Sequence, residues 1–194
     1  MERLLREMSR QSLLAGFYLA GGTGLALRLG HRRSEDLDLF REEPFDSDQL
    51  LERAAPAGEI RVVAKGERTL HLEIQGIRVS FLGFAYPALF PGEPFCGIPV
   101  ADARDIACMK ISAISGRGAR RDFVDVYVAA QTYGLRDLLE LFHRKFARVQ
   151  YNSVHVRKSL VYFADAEKDP MPDLLVPLSW EAVKQFFLRE AVRL

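Results

Sequence analysis

The sequence predicts an α+β fold, with a small mixed β-sheet core flanked by helices and then a helical C-terminal half. Up to about residue 100, strand-like apolar segments alternate with helical patterns, and beyond Pro99 the apolar residues recur at helical spacing. A length of 194 residues suits a single domain. We therefore expect an α/β core over residues 1–100 and a helical region over 101–194 that packs on it.

Five elements are predicted in the first part of the chain, in the order helix, strand, helix, strand, helix. The opening amphipathic helix ends at Gly16, and Thr23 caps the second helix, which ends at Gly30. Asp46 or Ser47 caps the third helix, over DQLLERAA. The two strands between them are FYLAGG and DLDLF.

Three β segments follow: EIRVVAKG, RTLHLEI and IRVSFLGF. The Gln75-Gly76 pair between the last two predicts a tight hairpin, because two-residue loops with glycine second favour such turns. That register sets Glu73 opposite Arg78 and His71 opposite Ser80.

The remaining segments have helical spacing. Asp102 is expected to cap ARDIACMKISAI, a GRG break follows, and Gly134 is expected to end the helix ARRDFVDVYVAAQTY. Further amphipathic helices are predicted over LRDLLELFHRKFA, VHVRKSLVYFA and WEAVKQFFLREAV, with a proline-rich loop from Asp165 to Pro177.

Composition excludes several classes of protein. The formal net charge is +1, so no global field directs the chain to nucleic acid or to a membrane surface. Two cysteines, Cys96 and Cys108, are too few for a disulfide framework or a zinc ribbon. No apolar stretch is long enough to span a membrane. These features predict a cytoplasmic protein without a membrane partner.

An acid pair stands in the segment SEDLDLF. Asp36 and Asp38 project on one face of the strand, about 6–7 Å apart, while Leu37 and Leu39 project on the other. Such carboxylates repel each other unless water or a cation neutralises them, and Mg²⁺ prefers oxygen ligands. The alternative is an exposed edge strand whose acids face water.

A glycine turn precedes the acid pair. Gly21, Gly22 and Thr23 lie between a strand and the start of a helix, where free backbone N–H groups and the helix dipole attract phosphate. Such turns also serve plain packing. A phosphate cradle followed closely by an acid pair is nevertheless a rare combination.

The string FYLAGGTGLALRLGHRRSEDLDLF resembles the AbiEii/AbiGii-type nucleotidyltransferase toxins, a branch of the DNA polymerase β-like nucleotidyltransferase superfamily. The later stretch KISAISGRGARRDFVDVY resembles the lysine and the R-D-x-x-D helix of the same family. Together with the β region between them, the two blocks span about residues 16–130. The resemblance implies a metal-dependent nucleotidyltransferase that acts as the toxin of a toxin–antitoxin or phage-defence system.

The resemblance also implies residue roles. Asp36 and Asp38 would bind Mg²⁺ or Mn²⁺, and a second group would contact the triphosphate of the NTP substrate, namely Gly21, Gly22, Thr23 and Ser34. Lys110 would pair with phosphate oxygens, and Asp122 or Asp125 would orient Lys110 or the acceptor hydroxyl. Without the first block, Lys110 would be an ordinary solvated lysine and RRDFVD a surface ion-pair face.

The basic run of His31, Arg32 and Arg33 has two interpretations. In the first, the run binds phosphates of a nucleotide or of RNA, and Arg32 is then the residue expected to contact the nucleotide. In the second, its positive charges complement the dipole at the C-terminus of a helix and stay in water. The other histidines show no metal-ligand spacing and receive no chemical role.

One position departs from the superfamily. Many of its enzymes place a third metal carboxylate on a neighbouring strand, where IRVSFLGF offers Ser80 instead. Glu73 on the paired strand would substitute if its side chain pointed to the same site.

The expected function is transfer of a nucleoside monophosphate from an NTP to the 3′ end of tRNA or to a protein hydroxyl, with an antitoxin as partner. The alternatives are a degenerate fold that binds nucleotide or a partner without turnover, and a plain structural domain.

Overall fold

The computed structural model describes residues 1–149 and 151–193, and the chain divides into two compact units. The first unit comprises Met1–Gly24 and Ser34–Asp102, and the second comprises Leu25–Arg33 and Ala103–Leu194. The first unit holds a mixed β-sheet with helices, and the second is helical. The predicted fold class is therefore confirmed.

The first unit is built around seven strands. In chain order, the elements up to residue 102 are α1 (Glu2–Arg10), β1 (Tyr18–Leu19), α2 (Gly21–Leu29, which begins in the first unit), β2 (Leu37–Arg41), α3 (Ser47–Ala54), β3 (Ile60–Gly66), β4 (Thr69–Ile74), β5 (Ile77–Gly83), β6 (Glu93–Phe95) and β7 (Ile98–Val100).

The acid-bearing strand β2 lies inside the sheet, whose order is β3-β4-β5-β2-β1-β7-β6. It pairs with β5 in parallel and with β1 antiparallel. The edge-strand alternative for the acid pair is therefore wrong. A strand with partners on both sides keeps its side chains in a fixed register.

The two faces of β2 differ in burial. Leu37 and Leu39 are fully buried in the apolar cluster that also contains Leu4 and Met8 of α1. Asp38 lies on the opposite face and is half-buried. The alternation of the sequence thus sets the apolar side chains into the core and the carboxylate away from it.

The predicted hairpin between β4 and β5 is confirmed, including its register. His71 pairs with Ser80, and Glu73 pairs with Arg78. The loop residues Gln75 and Gly76 both have positive φ, as a type I′ turn requires.

Several predicted boundaries in the first unit were wrong. Helix α1 ends at Arg10 rather than at Gly16, and Ser12 takes a positive φ in the following turn. The β6–β7 hairpin was missed, because its strands are three residues long and each contains a proline. Strand β7 pairs in parallel with β1. Asp46 caps α3 as predicted, accepting from two backbone N–H groups.

The described residues of the second unit include five further α-helices: α4 (Ala103–Gly116), α5 (Arg120–Tyr133), α6 (Leu135–Lys145), α7 (Ser153–Ser159) and α8 (Trp180–Ala191). Gly134 ends α5 with a φ of +77°, as predicted, and α6 starts at the next residue. Helix α7 is shorter than the sequence pattern suggested. None of the helices in the described part of the chain is long and apolar enough to cross a membrane.

Candidate active site

The glycine turn places backbone directly against the acid pair. Gly21 opens α2 immediately after β1 and has a φ of +62°. A Cβ added to Gly21 would stand only 2.9 Å from both Cβ and Cγ of Asp38. Glycine is therefore required here for two reasons, because the backbone is left-handed and because the Asp38 carboxyl group occupies the space.

Replacing Gly21 by alanine is expected to lower nucleotidyl transfer by at least about tenfold, because the new Cβ displaces the Asp38 carboxylate. Gly30 is the matched control, since it has the same φ of +62° and no atom within 4 Å of an added Cβ. Gly30→Ala should lose about 1 kcal/mol of stability from backbone strain, and Gly21→Ala should lose more because its Cβ also clashes with Asp38, as measured by urea unfolding. Equal losses of activity in the two variants would show that the contact with Asp38 is unimportant.

Thr23 joins the start of α2 to the segment that carries Asp36. The predicted capping role was wrong, because α2 begins two residues earlier, at Gly21. The Thr23 hydroxyl donates to the backbone carbonyl of Asp36 and lies 3.0 Å from the Ser34 hydroxyl. Thr23 is buried, so its side chain fixes the position of the Ser34–Asp36 backbone. Direct contact of Thr23 and Ser34 with triphosphate stays a prediction.

Asp36 and Asp38 lie at the start of β2, next to the glycine turn. Asp36 immediately precedes the strand, Asp38 is its second residue, and both are half-buried. Within residues 1–149 and 151–193, no group of three or more His, Cys, Asp or Glu side chains could hold a metal ion. The carboxylate pair consists of hard oxygen donors, which suit Mg²⁺ or Mn²⁺ with further oxygens from a substrate. The donor set thus fits a metal shared between protein and substrate.

The position next to Asp38 is neutral. Ser80 of β5 is the register partner of Asp38, and its hydroxyl lies 3.0 Å from Nδ1 of His71 on β4. Glu73 forms an ion pair with Arg61 on the neighbouring strand, so its carboxylate is already neutralised. Sequence reasoning identified Ser80 but gave no role to His71, whose hydrogen bond follows from the register of the hairpin.

In the second unit, Lys110 is held by two carboxylates. Its Nζ lies 2.8 Å from Asp122 Oδ1 and 2.8 Å from Asp125 Oδ2. The lysine side chain is only 7% exposed, and both aspartates are fully buried. The interpretation of Lys110 as a solvated surface lysine is therefore wrong. Asp122 and Asp125 lie one turn apart on α5, which lets both reach the same ammonium group.

Asp125 accepts from four donors. Besides Lys110, Arg32 makes a two-point contact through Nε at 2.7 Å and Nη2 at 2.9 Å, and Nε2 of His31 lies 2.8 Å away. A carboxylate can only accept, so Nε2 of His31 carries the proton. Burial alone would raise the pKa of Asp125, but the charge of Lys110 and the hydrogen bonds from Arg32 and His31 hold that pKa well below its usual range.

The basic run after α2 is divided by the fold. His31 and Arg32 are buried, whereas the Arg33 side chain is 70% exposed and pairs with Asp173 at 3.2 Å. The interpretation that the whole run stays in water is therefore wrong. The Arg32 guanidinium donates two hydrogen bonds to Asp125. Its contact with nucleotide stays a prediction.

Arg117 was missed at the sequence level; its side chain is 54% exposed, and it contacts the buried Asp122 from the protein surface. Its Nε lies 2.8 Å and its Nη2 3.1 Å from the Asp122 carboxylate. Arg120, two residues before Asp122, donates to the Ala166 and Glu167 carbonyls instead. The first arginine of GRGARRD, rather than the second, therefore belongs to the network, and sequence spacing gives no way to choose between them.

The buried carboxylates predict an acid-sensitive fold. Burial alone would raise the pKa of Asp122, but Lys110 and Arg117 hold that pKa below its usual range. The pKa of Asp125 is lowered as well. The two carboxylates contribute their full stabilisation at a pH above their pKa in the unfolded chain, about 3.9. This stabilisation is lost as the pH falls toward their lower pKa values in the folded protein. The free energy of unfolding should therefore decrease as the pH is lowered from about 5 to 3.

Urea unfolding across this pH range measures the effect, and Asp125→Asn is the comparison. That variant lacks one depressed carboxyl group, so its free energy of unfolding should fall less steeply with pH than that of the original chain. Parallel curves for the two proteins would mean that Asp125 titrates normally in the folded state.

Comparison with known proteins gives a family match over almost the whole chain. A family model described as the nucleotidyl transferase AbiEii toxin of the type IV toxin–antitoxin system matches residues 3–193. An uncharacterised protein of Aquifex aeolicus is 38% identical over 180 residues, which covers 90% of this chain and 85% of that protein.

Solved structures share the fold. The nucleotidyltransferase toxin MenT4 of Mycobacterium tuberculosis is 21% identical with a TM-score of 0.57, and the match covers 100% of this chain and 84% of MenT4. A candidate nucleotidyltransferase of Helicobacter pylori is 16% identical with a TM-score of 0.55, and the match covers 99% and 92% of the two chains. At these identities the likeness shows the fold, while the family model covers both the glycine turn and the lysine–aspartate block.

Proposed function

This chain belongs to the AbiEii nucleotidyltransferase toxin family of type IV toxin–antitoxin systems, and from that premise we propose how its residues carry out the transfer. The proposed reaction moves a nucleoside monophosphate from an NTP to the hydroxyl of an RNA, at a tRNA 3′ end, or of a protein. The acceptor hydroxyl loses its proton to solvent as its oxygen bonds to the α-phosphorus, the bond from that phosphorus to the bridging oxygen breaks, and pyrophosphate leaves.

The observation that carries this proposal is the contact between the glycine turn and the acid pair. Gly21 approaches Asp38 so closely that no Cβ fits, and Thr23 ties the α2 N-terminus to the backbone of Asp36. Backbone N–H groups at a helix start attract phosphate oxygens, and two carboxylates attract a divalent cation. The two features therefore lie where one triphosphate–metal complex would meet both.

Asp36 and Asp38 would hold Mg²⁺ or Mn²⁺. When bound, that cation neutralises triphosphate charge and stabilises the leaving pyrophosphate. With Ser80 in place of a third carboxylate, the protein supplies two acidic ligands, so the remaining oxygens would come from the NTP and water.

Lys110 is proposed as a phosphate-binding cation. An ammonium group has three N–H donors, and the contacts with Asp122 and Asp125 take two of them. The third is available for a phosphate oxygen, and the two carboxylates fix its direction. Asp122 and Asp125 therefore act as positioning residues for Lys110 rather than as groups that touch the substrate.

A second candidate function is favoured by Ser80. A site with a neutral group beside Asp38 also fits a module that binds NTP without turnover. It is ranked second because the Asp36–Asp38 pair and the Lys110 network serve transfer chemistry, whereas docking of a partner does not require either. The type IV assignment further implies a cognate antitoxin that opposes the toxin's effect.

A label-transfer assay on the full chain tests the proposal. Each α-labelled NTP is supplied in turn with Mg²⁺ or Mn²⁺, with and without bulk tRNA. Label on RNA or on protein is the expected result, and it identifies both the nucleotide and the acceptor class. Absence of label under all conditions, together with measurable NTP binding, would support the binding module instead.

A further inference from the structure

Residues 166–175 form the first part of the connection between α7 and α8 in the second unit, and we call them the brace. The brace begins with a 3₁₀ turn, Ala166–Lys168, and contains Pro170 and Pro172. Asp169 has an extended backbone, with φ −85° and ψ 148°, which is the conformation that a following proline favours. Two prolines within three residues make the middle of the brace stiff, so its two ends keep a fixed relation to each other.

The first end of the brace holds the N-terminus of α5. Ala119, the N-cap residue of that helix, has no side-chain oxygen that could accept from the first turn. Asp169 supplies the missing acceptor from 49 residues further along the chain, because its Oδ2 accepts from the backbone N–H of Arg120 at 3.0 Å. A carboxylate at this position also complements the positive end of the helix dipole. Asp169 is therefore the N-terminal cap of α5.

The Arg120 side chain returns the contact to the brace. Its Nε donates to the Ala166 carbonyl at 2.8 Å, and its Nη2 donates to the Glu167 carbonyl at 3.0 Å. The guanidinium lies 5.0 Å from the ring centroid of Trp180, and the side chain is only 13% exposed. Hydrogen bonds in both directions thus fix the first turn of α5, the turn that carries Asp122.

The second end of the brace holds the segment that follows α2. Leu174 and Arg32 form an antiparallel bridge, and the backbone N–H of Leu175 donates to the His31 carbonyl at 2.9 Å. The side chains of His31 and Arg32 are both donors to Asp125. This end of the brace therefore fixes the backbone from which two of the four donors reach Asp125.

The two ends meet in one functional group, because Asp122 and Asp125 both contact Lys110 Nζ at 2.8 Å. We propose that the brace directs the Lys110 ammonium toward a phosphate oxygen of the NTP, with Asp169 as a positioning residue. This inference rests on the proposed function, in which Lys110 is the phosphate-binding cation. A charge-assisted hydrogen bond depends on direction as well as on distance, so displacement of its supports weakens it.

Equilibrium dialysis of the full chain with each α-labelled NTP in turn and Mg²⁺ tests the proposal. Asp169→Ala removes the acceptor at the α5 N-terminus and should raise the Kd for NTP at least about fivefold. Asp169→Asn keeps a side-chain oxygen that accepts from Arg120 N–H, so its Kd should return to within about twofold of the original. Inorganic triphosphate, used as a competitor, should lose affinity by the same factor as NTP, because the proposed contact of Lys110 is with phosphate alone.

Asp46→Ala is the matched control. Asp46 caps α3 in the first unit by accepting from two backbone N–H groups, so this variant loses the same kind of cap outside the brace. Its urea midpoint should fall by an amount comparable to that of Asp169→Ala, while its Kd for NTP stays within about twofold of the original. Equal losses of NTP affinity in the two variants would overturn the proposal, because destabilisation alone would then account for them.

Leu175→Pro tests the other end of the brace independently of Asp169. Proline lacks the N–H that donates to the His31 carbonyl, so the Kd for NTP should rise at least about fivefold here as well. This variant also decides the matter if Asp169→Ala does not fold. Unchanged NTP affinity in folded Leu175→Pro or folded Asp169→Ala would overturn the proposal.

Label transfer separates this inference from the proposed function. If the original chain labels an acceptor, Asp169→Ala should raise the KM for NTP at least about fivefold and leave the KM for the acceptor unchanged. Normal kinetics in the folded brace variants would overturn the role of the brace but not the transferase. Brace-dependent NTP binding without transfer to any acceptor would support the inference and refute the proposed function. Failure of the original chain to bind NTP would overturn the inference.

Discussion

Replacing Asp36 by alanine abolishes nucleotidyl transfer, with an expected loss of at least about a thousandfold in turnover. Asp36 and Asp38 are the only carboxylates that we propose as ligands of the metal ion. Loss of one of them weakens binding of the ion that neutralises the reacting triphosphate. The fold should survive, because Thr23 holds this segment through the Asp36 backbone carbonyl, which alanine retains. The label-transfer assay measures activity, and urea unfolding measures stability.

Glu35→Ala is the control for this variant. Glu35 is the exposed neighbour of Asp36, and its replacement by alanine removes one negative charge without changing the proposed site. Activity of Glu35→Ala should stay within about twofold of the original chain. If Asp36→Ala kept normal activity while folded, the assignment of the acid pair as the metal site would be wrong. Equal losses in the two variants would point to a general electrostatic effect.

Local patterns predicted much of the first unit. The β4–β5 hairpin followed from a two-residue loop with a glycine, because that loop fixes the register of both strands. Alternation likewise separated Leu37 and Leu39 from Asp38. The β6–β7 hairpin had no such signal, since three-residue strands are too short to show a period and Pro94 and Pro99 argue against strands.

The candidate site was only partly readable from the sequence. Asp122 and Asp125 are three residues apart, a spacing that places both on one face of a helix, and both contact Lys110 in the structure. The pairing of Asp125 with Arg32 joins positions 93 residues apart, and no local pattern encodes such a contact. Strand alternation pointed to the acid pair, and resemblance to a family supplied the roles of that pair and of the lysine, while burial and partner choice required three-dimensional structure.

The buried network around Asp125 predicts a large effect on stability. Asp125→Asn is expected to lower the free energy of unfolding by about 3–5 kcal/mol, because it leaves buried cations without their counter-charge. Lys110 and Arg32 are the two cations concerned, and both side chains are 7% exposed or less. Asn also turns an NH₂ group toward donors that a carboxylate accepted. Urea unfolding at neutral pH measures the loss.

An exposed pair provides the comparison. Asp48→Asn breaks the surface contact with Lys65 and should cost less than about 1 kcal/mol, because water screens that pair. A loss of similar size for Asp125→Asn would mean that the network does not rely on this carboxylate.

Removing one buried cation should restore part of the stability lost in Asp125→Asn. Adding Arg32→Met to that variant takes away one uncompensated charge, so we expect recovery of at least about 1 kcal/mol. Lys110 keeps its contact with Asp122 in the double variant. If transfer activity remained low after stability returned, the Asp125–Arg32 pair would be needed for transfer in addition to its role in the fold. If activity returned with stability, Asp125 would serve the fold alone, and Asp122 would suffice to position the lysine.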